Sequence, residues 1–329
     1  MKMPIVRIVY ACTLLLIVTV LNASSSEAAD GYPQRSVRII VPYAAGGGTD
    51  VTARVFASAL GAALGQAFIV DNRAGGASIP GTQLLAQSAP DGYTLGVMDS
   101  SFVTNPSLFR GKLPYDTQRD FKPVALLARN QLLLMVPASS PYKSAGDLVA
   151  AIKKKPGELT FASAGIGTAI HLAGEQLRQA YGLSFVTVPY RGGGPALSDL
   201  MGAKVDFAFV AYPVAKAQLH DGLIRALAVA GPRMALEPDI PSMEEAGFPS
   251  VDAVTDFGLI APAGTPEAIV RSLSAAASEA AQKDPLRQKL LDMGLIPIGT
   301  TPEQFTEHVG NEIAKWSAIV ERGDIKGEQ

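Results

Sequence analysis

Residues 41–50 read VPYAAGGGTD, and the apolar run VRIIV at residues 37–41 leads into them. A short β-branched run of this kind predicts a strand covered on both faces, and the sequence VTARVFASALGAAL after Asp50 favours a helix. Glycines between a strand and a helix leave backbone N–H groups free at the helix start, where anions bind. The stretch therefore predicts a strand, a glycine turn and a helix that together form an anion site.

Neither nucleotide signature fits this turn. A Walker A loop needs a Lys after its last glycine, and Thr49 follows Gly48 instead. The dinucleotide pattern fails because its third glycine would fall on Val51. The turn has the geometry of an anion site without the sequence of a known nucleotide site.

Three further joints repeat the design of a strand end, a glycine-rich turn and a helix start. They read VDNRAGGASIPG from Val70, FASAGIGTAIH from Phe161 and VPYRGGGPALSDL from Val188. In open α/β sheets, ligands bind outside the carboxyl ends of the strands, so converging loops of this kind predict a binding cleft. For any single loop the alternative stays open that its glycines only permit a tight turn.

Short apolar runs alternate with helical patterns along the whole chain, which predicts an α/β fold with doubly wound sheets. The runs fit parallel strands; they start at residues 36, 68, 94, 124, 132, 159, 185, 205, 225 and 257. The helical patterns span 50–64, 79–88, 144–155, 168–181, 195–202, 266–283 and 303–322.

The four loops favour a carboxylate over a phosphate. Arg73 and Arg191 are their only basic residues, whereas a phosphate usually attracts several Arg or Lys side chains. Hydroxyl groups and aromatic walls suit a carboxylate on a small organic skeleton. The candidates are the hydroxyls of Thr49, Ser101, Ser163 and Thr168 and the rings of Tyr43, Phe102 and Tyr212.

The N-terminus reads as an export signal. Lys2 and Arg7 precede an apolar run over residues 8–21, and small residues follow through Ala29. The run is short for a membrane span, which needs about 20 apolar residues, although an uncleaved anchor is the alternative. Cleavage near Ala28 removes Cys12, the only cysteine, and predicts a disulfide-free periplasmic protein.

Composition and motifs argue against an enzyme and against a nucleic-acid partner. The net charge is −2, so no basic surface is indicated. No nucleophile–base pair is visible, and we expect no catalytic residues, no cofactor and no metal. His171 and Glu175 have the i,i+4 spacing of two ligands on one helix face, but two ligands alone make a weak metal site.

The chain resembles the substrate-binding receptors of tripartite tricarboxylate transporters, also called Bug-type proteins. The resemblance covers essentially the whole mature chain. In its first part the motifs are YPQRSVRIIVPYAAGGGTDVTAR from Tyr32, VDNRAGG from Val70, APDGYTLG from Ala89 and LPYDTQRDFKPVALLA from Leu113. In the remainder they are FASAGIGTAIHLAGE from Phe161, VPYRGGGPAL from Val188, RALAV from Arg225, PSMEEAGFP from Pro241 and APAGTP from Ala261.

The resemblance implies a type II periplasmic-binding-protein fold, with two doubly wound α/β lobes and a ligand cleft between them. Residues 1–29 would be the signal peptide, 30–130 and 254–329 the first lobe, and 131–253 the second lobe. The chain would cross between lobes near Gln131 and Asp256. The family's ligands are mostly small carboxylates, among them dicarboxylates, tricarboxylates, acidic amino acids and aromatic acids.

Family positions also imply the ligand-binding residues. The set that they mark is Tyr43, Ala45, Gly46, Gly47, Thr49, Asp50, Ser78, Ser101, Ser163, Gly165, Thr168, His171, Tyr212 and Asp256. The first loop would anchor one carboxylate through main-chain amides. The sequence departs from the family at Asp256, where a Trp is common, and at Pro80. An acid near a carboxylate pocket would either disfavour a distal ligand anion or pair with an amine or a hydroxyl of the ligand.

The expected function is that of a monomeric periplasmic receptor that delivers a carboxylate to membrane permease subunits. A ligand-presenting sensor subunit of a two-component system is the alternative. An exported hydrolase is a third reading and would need the nucleophile and base that are missing.

Overall fold

The computed structural model describes residues 31–190 and 192–327, so the predicted signal peptide, Cys12 and Arg191 lie outside the described residues. The strands are β1 (Val37–Val41), β2 (Phe68–Asn72), β3 (Thr94–Met98), β4 (Phe121–Pro137), β5 (Thr160–Ser163), β6 (Val186–Pro189), β7 (Phe207–Ala211), β8 (Ile224–Val229), β9 (Val254–Pro262) and β10 (Leu295–Pro297). The helices are α1 (Gly48–Leu64), α2 (Ile79–Ala86), α3 (Ser101–Leu108), α4 (Ala145–Lys154), α5 (Ala169–Tyr181), α6 (Gly193–Met201), α7 (Tyr212–His220), α8 (Glu267–Gln282), α9 (Leu286–Asp292) and α10 (Pro302–Arg322).

The predicted α/β fold is confirmed, but its strands are not all parallel. β1 pairs in parallel with β2 and β3, and β5 pairs in parallel with β6 and β7. The long strands β4 and β9 run antiparallel to each other, β9 runs antiparallel to β3, and β4 runs antiparallel to β7 and β8. The sheets are therefore mixed. The sequence did not predict this, because apolar runs buried on both faces do not reveal strand direction.

β4 is one strand where the sequence predicts two. It pairs with β9 over residues 121–131 and with β7 and β8 over residues 132–137, so one strand serves both halves of the molecule. The polar triplet Arg129, Asn130 and Gln131 looks like a break in the apolar pattern. In the structure the Arg129 guanidinium is paired with Asp256 and the Gln131 amide donates to the Pro232 carbonyl oxygen, so the first and third side chains of the triplet find partners inside a strand.

Helices cover both faces of the strands and enclose the apolar core. One cluster joins β1, β3, α1 and α8 around Phe56 and Leu60, both fully buried. A larger cluster packs α5, α10 and β7 around Phe161, Phe209 and Trp316. Within the described residues, no helix combines the length and the apolar character that crossing a bilayer requires.

Several short elements escape the sequence patterns. α3 contains Pro106 near its end, and α7 starts with Pro213 in its first turn, so both carry a residue that usually marks a boundary. α9 and β10 have only seven and three residues, too few to show a period. α3 and α7 matter most, because both begin at the cavity described next.

Candidate ligand-binding site

A cavity of about 470 Å³ lies where the first and second halves of the chain meet. Its volume suits a small organic molecule. The lining comprises Tyr43, Gly46, Gly48, Thr49, Val51, Asp99, Ser100, Ser101, Asn130, Leu132, Ala164, Thr168, Ala169, Ile170, Gly192, Gly193, Ala211, Pro213, Val214, Thr255, Phe257, Met293 and Leu295. A larger surface groove of about 720 Å³ between α1, α8 and α9 is walled by helix sides and lacks the convergent groups found here.

The first turns of five helices, α1, α3, α5, α6 and α7, line this cavity. The first N–H groups of a helix have no partner inside the helix, and its N-terminus carries a partial positive charge. α1 and α6 both start with a glycine preceded by a glycine, and neither has a side-chain cap. Their N–H groups are therefore left for a ligand or for water.

The first loop is held in shape by Asp50. The buried carboxylate accepts hydrogen bonds from the Gly46 amide (2.8 Å), from Arg54 Nε (3.0 Å) and from Asn72 Nδ2 (2.9 Å). Burial acts to raise the pKa of Asp50, but the hydrogen bonds from Arg54 and Gly46 outweigh it and hold the pKa below its usual value. Asp50 is thus an ionised support of the loop rather than a lining group.

The backbone of the first loop requires glycine at position 46 but not at position 47. Gly46 has φ +89°, which strains any residue with a side chain. Gly47 has φ −78°, and a Cβ atom there would meet only the Ala44 carbonyl oxygen at 3.9 Å. The sequence-based reasoning that favours glycine for its shape therefore applies to Gly46.

Asp99 is a lining residue that the sequence reasoning missed. Its Oδ1 accepts hydrogen bonds from the Tyr43 hydroxyl (2.5 Å) and the Ser101 amide (2.9 Å), and its Oδ2 accepts one from the Thr49 hydroxyl (3.2 Å). Burial and the negative charge of Asp99 raise the pKa of Tyr43, so the phenol stays protonated and can donate. The available signal was an acid directly after the apolar strand TLGVM, where ligand-binding loops begin.

The third loop lies on the opposite wall and is organised by the start of α5. The Thr168 hydroxyl accepts from the His171 amide and caps the helix, and it also donates to the Gly165 carbonyl oxygen at 2.8 Å. The Gly167 amide donates to Nδ1 of His171 at 3.3 Å. Burial and then the charge of Arg178 lower the pKa of His171 to about 4, which keeps the ring neutral and able to accept.

The second loop supports the first and does not line the cavity. Asn105 Nδ2 donates to the Ala77 carbonyl oxygen at 2.7 Å, and Ser78 beside it is 2% exposed. The Arg73 side chain is half exposed and pairs with Asp71 at 3.0 Å. Of the four predicted loops, the first, third and fourth contribute lining residues.

β9 presents alternate residues to the two sides of its sheet, as strands do. Thr255 and Phe257 face the cavity, whereas Asp256 lies in a separate small pocket behind the strand. The Asp256 carboxylate accepts from Arg129 Nε (2.6 Å) and Nη2 (2.9 Å) and lies 2.6 Å from His308 Nε2. The expectation that Asp256 places an acid at the pocket is corrected: its carboxylate is committed to Arg129 and His308 on the far side.

The structure brings together part of the predicted residue set. Those that line the cavity are Tyr43, Gly46, Thr49, Ser101 and Thr168. Those that lie outside its lining are Ala45, Gly47, Asp50, Ser78, Ser163, Gly165, His171, Tyr212 and Asp256. Contact between any of these residues and a ligand stays a prediction.

The predicted residues outside the lining have other partners that explain their positions. The Tyr212 hydroxyl donates to Glu237 at 2.8 Å, and its ring packs under Gly294. The Ser163 hydroxyl accepts from the Gly165 amide at 3.2 Å and so shapes the third loop. Phe102, predicted as a wall, is 4% exposed and packs edge-on against Phe121 in the core.

The lining offers polar backbone and hydroxyl groups but little charge. Among the lining residues that the structure describes, Asp99 is the one formal charge, and Lys, Arg and His are missing. In residues 31–190 and 192–327, no group of three or more His, Cys, Asp or Glu side chains is placed to hold a metal ion. Glu175 pairs with Arg178 at 3.1 Å, which accounts for it without a metal shared with His171.

Comparison with known proteins identifies relatives that align with about nine-tenths of the chain. The family model of the tripartite tricarboxylate transporter family receptor matches residues 52–325. Protein BugT of Bordetella pertussis is 35% identical over 300 residues, which cover 91% of this chain and 92% of BugT.

Solved structures with bound ligands are also similar. The structure of Rpa4515 from R. palustris with adipate has a TM-score of 0.81 and 34% identity, covering 88% of this chain and 97% of that one. MatC from Rhodopseudomonas palustris with bound malate has a TM-score of 0.77 and 32% identity, covering 88% of this chain and 100% of that one. The predicted family and the predicted periplasmic-binding-protein fold are confirmed.

Proposed function

The chain belongs to the family of tripartite tricarboxylate transporter receptors, which are solute-binding proteins and not enzymes, and from this premise we propose that it captures a small organic carboxylate for a membrane permease of that transporter class. The relatives solved with adipate and with malate hold small carboxylates, which supports this ligand class. The delivery of this ligand to permease subunits is inferred from the description of the family as transporter receptors.

The convergence of five helix N-termini on one cavity carries the proposal, and two of these helices, α1 and α6, have no side-chain cap. A carboxylate there accepts hydrogen bonds from the uncapped N–H groups of α1 and α6, and the partial positive charges of the helix ends add to the attraction. The glycine starts at Gly48 and Gly193 let the ligand approach the backbone. The described lining contains no Lys or Arg, so the helix N-termini would hold the single negative charge of a carboxylate.

We place the protein in the periplasm, because residues 1–29 have the pattern of a cleaved export signal. The mature chain would be a monomer without cysteine. Intact-mass analysis of a periplasmic extract should give a chain that starts near residue 30. A mass that still includes residues 1–25 would contradict this.

The lobe boundaries near Gln131 and Asp256 are part of the proposal. They are supported by the change in pairing partner of β4, from β9 to β7 and β8, at residues 131–132. Two lobes joined by strand crossings would close on a ligand as a hinge. Small-angle scattering should show a smaller radius of gyration with a binding ligand, and an unchanged radius at saturation would argue against closure.

A thermal-shift screen tests the proposed ligand class. Mono- and dicarboxylates of four to eight carbons are compared with the primary amides of the same skeletons. A carboxylate at 100 times its dissociation constant should stabilise the protein by about 2.7 kcal/mol, whereas its amide should not. Equal stabilisation by acid and amide would show that the site does not select a carboxylate.

A further inference from the structure

Asp99 is the one formal charge among the described lining residues, and it is negative. It lies next to the start of α1, since its Oδ2 accepts from the hydroxyl of Thr49, the second residue of that helix. A ligand carboxylate placed on the free α1 amides would thus come close to a protein carboxylate. Like charges at such separation repel, more strongly in a cavity than in water.

The Asp99 carboxylate can accept one more hydrogen bond than it does in this structure. An ionised carboxylate offers about four acceptor positions on its two oxygens. Oδ1 uses two, with the Tyr43 hydroxyl and the Ser101 amide, and Oδ2 uses one, with Thr49. One acceptor position of Oδ2 is open, and Asp99 is partly exposed, unlike the buried Asp50.

Asp99 is the lining group whose open acceptor a ligand can reach. Asn130 also lines the cavity from β4, but its side-chain Oδ1 is buried away from the cavity space and has no hydrogen-bond partner, so it takes no part in recognition. Asp99 therefore favours a ligand with a hydrogen-bond donor, which a second carboxylate lacks.

We propose that this receptor takes a carboxylate ligand that also carries a cationic nitrogen, and that Asp99 is the specificity-determining residue that pairs with that nitrogen and disfavours dicarboxylates. The inference rests on the proposed function, since the ligand carboxylate is assigned to the helix N-termini. An ammonium group donates to the open position of Oδ2 and restores neutrality beside Tyr43 and Thr49. A methyl end leaves Asp99 uncompensated, and a second carboxylate adds repulsion.

Six-carbon ligands that differ only in their polar groups test this pairing by isothermal titration calorimetry. The panel is adipate, hexanoate, 2-aminohexanoate and 6-aminohexanoate. We expect one of the two amino acids to bind roughly tenfold or more tighter than hexanoate, and adipate to bind weakest. Tightest binding of adipate by the wild-type protein would overturn the proposal without any variant.

The isosteric variant Asp99→Asn then separates pairing from loop organisation. Loss of the Asp99 charge should reduce the affinity of the tighter of the two amino acids to that of hexanoate, and it should strengthen the binding of adipate. Asp256→Asn is the matched control, because it removes a carboxylate on the face of β9 that points away from the cavity, and it should keep the wild-type ranking. If Asp99→Asn changes all four affinities by one common factor, Asp99 only orients Tyr43 and Thr49, and the proposal fails.

6-Aminohexanamide distinguishes failure of this inference from failure of the proposed function. It keeps the cationic nitrogen and replaces the carboxylate, so we expect it to bind at least roughly tenfold weaker than 6-aminohexanoate or 2-aminohexanoate, whichever is tighter. Equal binding of the amide would contradict the carboxylate anchor while leaving a role for Asp99. Adipate tighter than both amino acids, with the amide weak, would leave the carboxylate anchor standing and remove the role of Asp99.

Discussion

The two walls of the cavity are built differently. The wall that carries the first loop is cross-linked by side chains: Asp50 ties the loop to Asn72, and Asp99 ties Tyr43 to Thr49. The opposite wall, from the third and fourth loops and α7, presents Thr168, the backbone at Gly193 and the apolar residues Ala164, Ile170, Pro213 and Val214. A cross-linked polar wall facing a mainly apolar one indicates that side-chain recognition is concentrated on the first wall, while the second covers the ligand and adds the backbone amides at the start of α6.

This difference predicts the largest loss of binding from Gly46→Val. The variant forces a β-branched residue to φ +89° at the cavity edge, so the first loop must change shape. We expect the affinity for the best carboxylate to fall by about 100-fold or more, as measured by calorimetric titration. Gly47→Ala is the matched control, because its φ of −78° suits alanine and its Cβ meets nothing closer than 3.9 Å. Equal loss in both variants would show that the loop's positive φ is not what matters.

Removing the Asp50 carboxylate, which supports the first loop, should lower stability as well as affinity. Asp50→Ala leaves the Gly46 amide and the Asn72 side chain without their buried acceptor. We expect the free energy of unfolding to fall by about 2–3 kcal/mol, measured by urea denaturation, together with weaker binding. Wild-type affinity in a destabilised Asp50→Ala protein would show that the loop keeps its shape without Asp50.

The opposite wall should instead respond to pH through His171. Its folded-state pKa of about 4 lies below the ordinary 6.5, so the unfolded chain binds this proton at higher pH than the folded chain. The contribution of His171 to stability is therefore present above about pH 6.5 and is lost as the pH falls toward 4. Between pH 7 and pH 5 we expect a loss of about 2 kcal/mol that His171→Gln does not show. Parallel pH profiles of unfolding free energy for the two proteins would contradict the neutral, buried imidazole.

The smallest effect is expected at Arg73, the basic residue of the second loop. Its side chain is 52% exposed, pairs with Asp71 and lies outside the cavity lining. Arg73→Ala should change affinity by less than about 0.5 kcal/mol, as exposed ion pairs contribute little. A loss of binding in Arg73→Ala with normal binding in Gly46→Val would move the anion site to the second loop.

Sequence patterns predicted the fold where periodicity is long and failed where polar residues lie inside a strand. TLGVM at β3 agrees with its predicted run, and the helical patterns at 50–64 and 303–322 lie within two residues of α1 and α10 at each end. The break predicted inside β4 was wrong, because Arg129 finds its counter-ion on β9, more than a hundred residues later in the chain. Such a pairing carries no local signal.

The site was predictable as a place more than as a list of side chains. Glycine turns after strands marked Gly46, Thr49 and Thr168, because the carboxyl ends of strands converge whatever the side chains are. Which side of a strand a residue faces depends on register, and for that reason Asp256 was expected at the pocket while Asp99 was overlooked. The sequence does not distinguish a side chain that supports the loop, as Asp50 does, from one that contacts a ligand.

Selective ¹⁵N-glycine labelling offers the most direct test that backbone amides hold the ligand. Gly46, Gly48, Gly192 and Gly193 line the cavity, whereas Gly258 and Gly299 pack against Phe305 and Ser278 away from it. At saturation with the best carboxylate, the amide protons of Gly48 and Gly193 should move strongly downfield, as expected for donors to a carboxylate oxygen, while Gly258 and Gly299 stay unchanged. Saturated binding that leaves Gly48 and Gly193 unshifted would contradict anchoring by the helix N-termini.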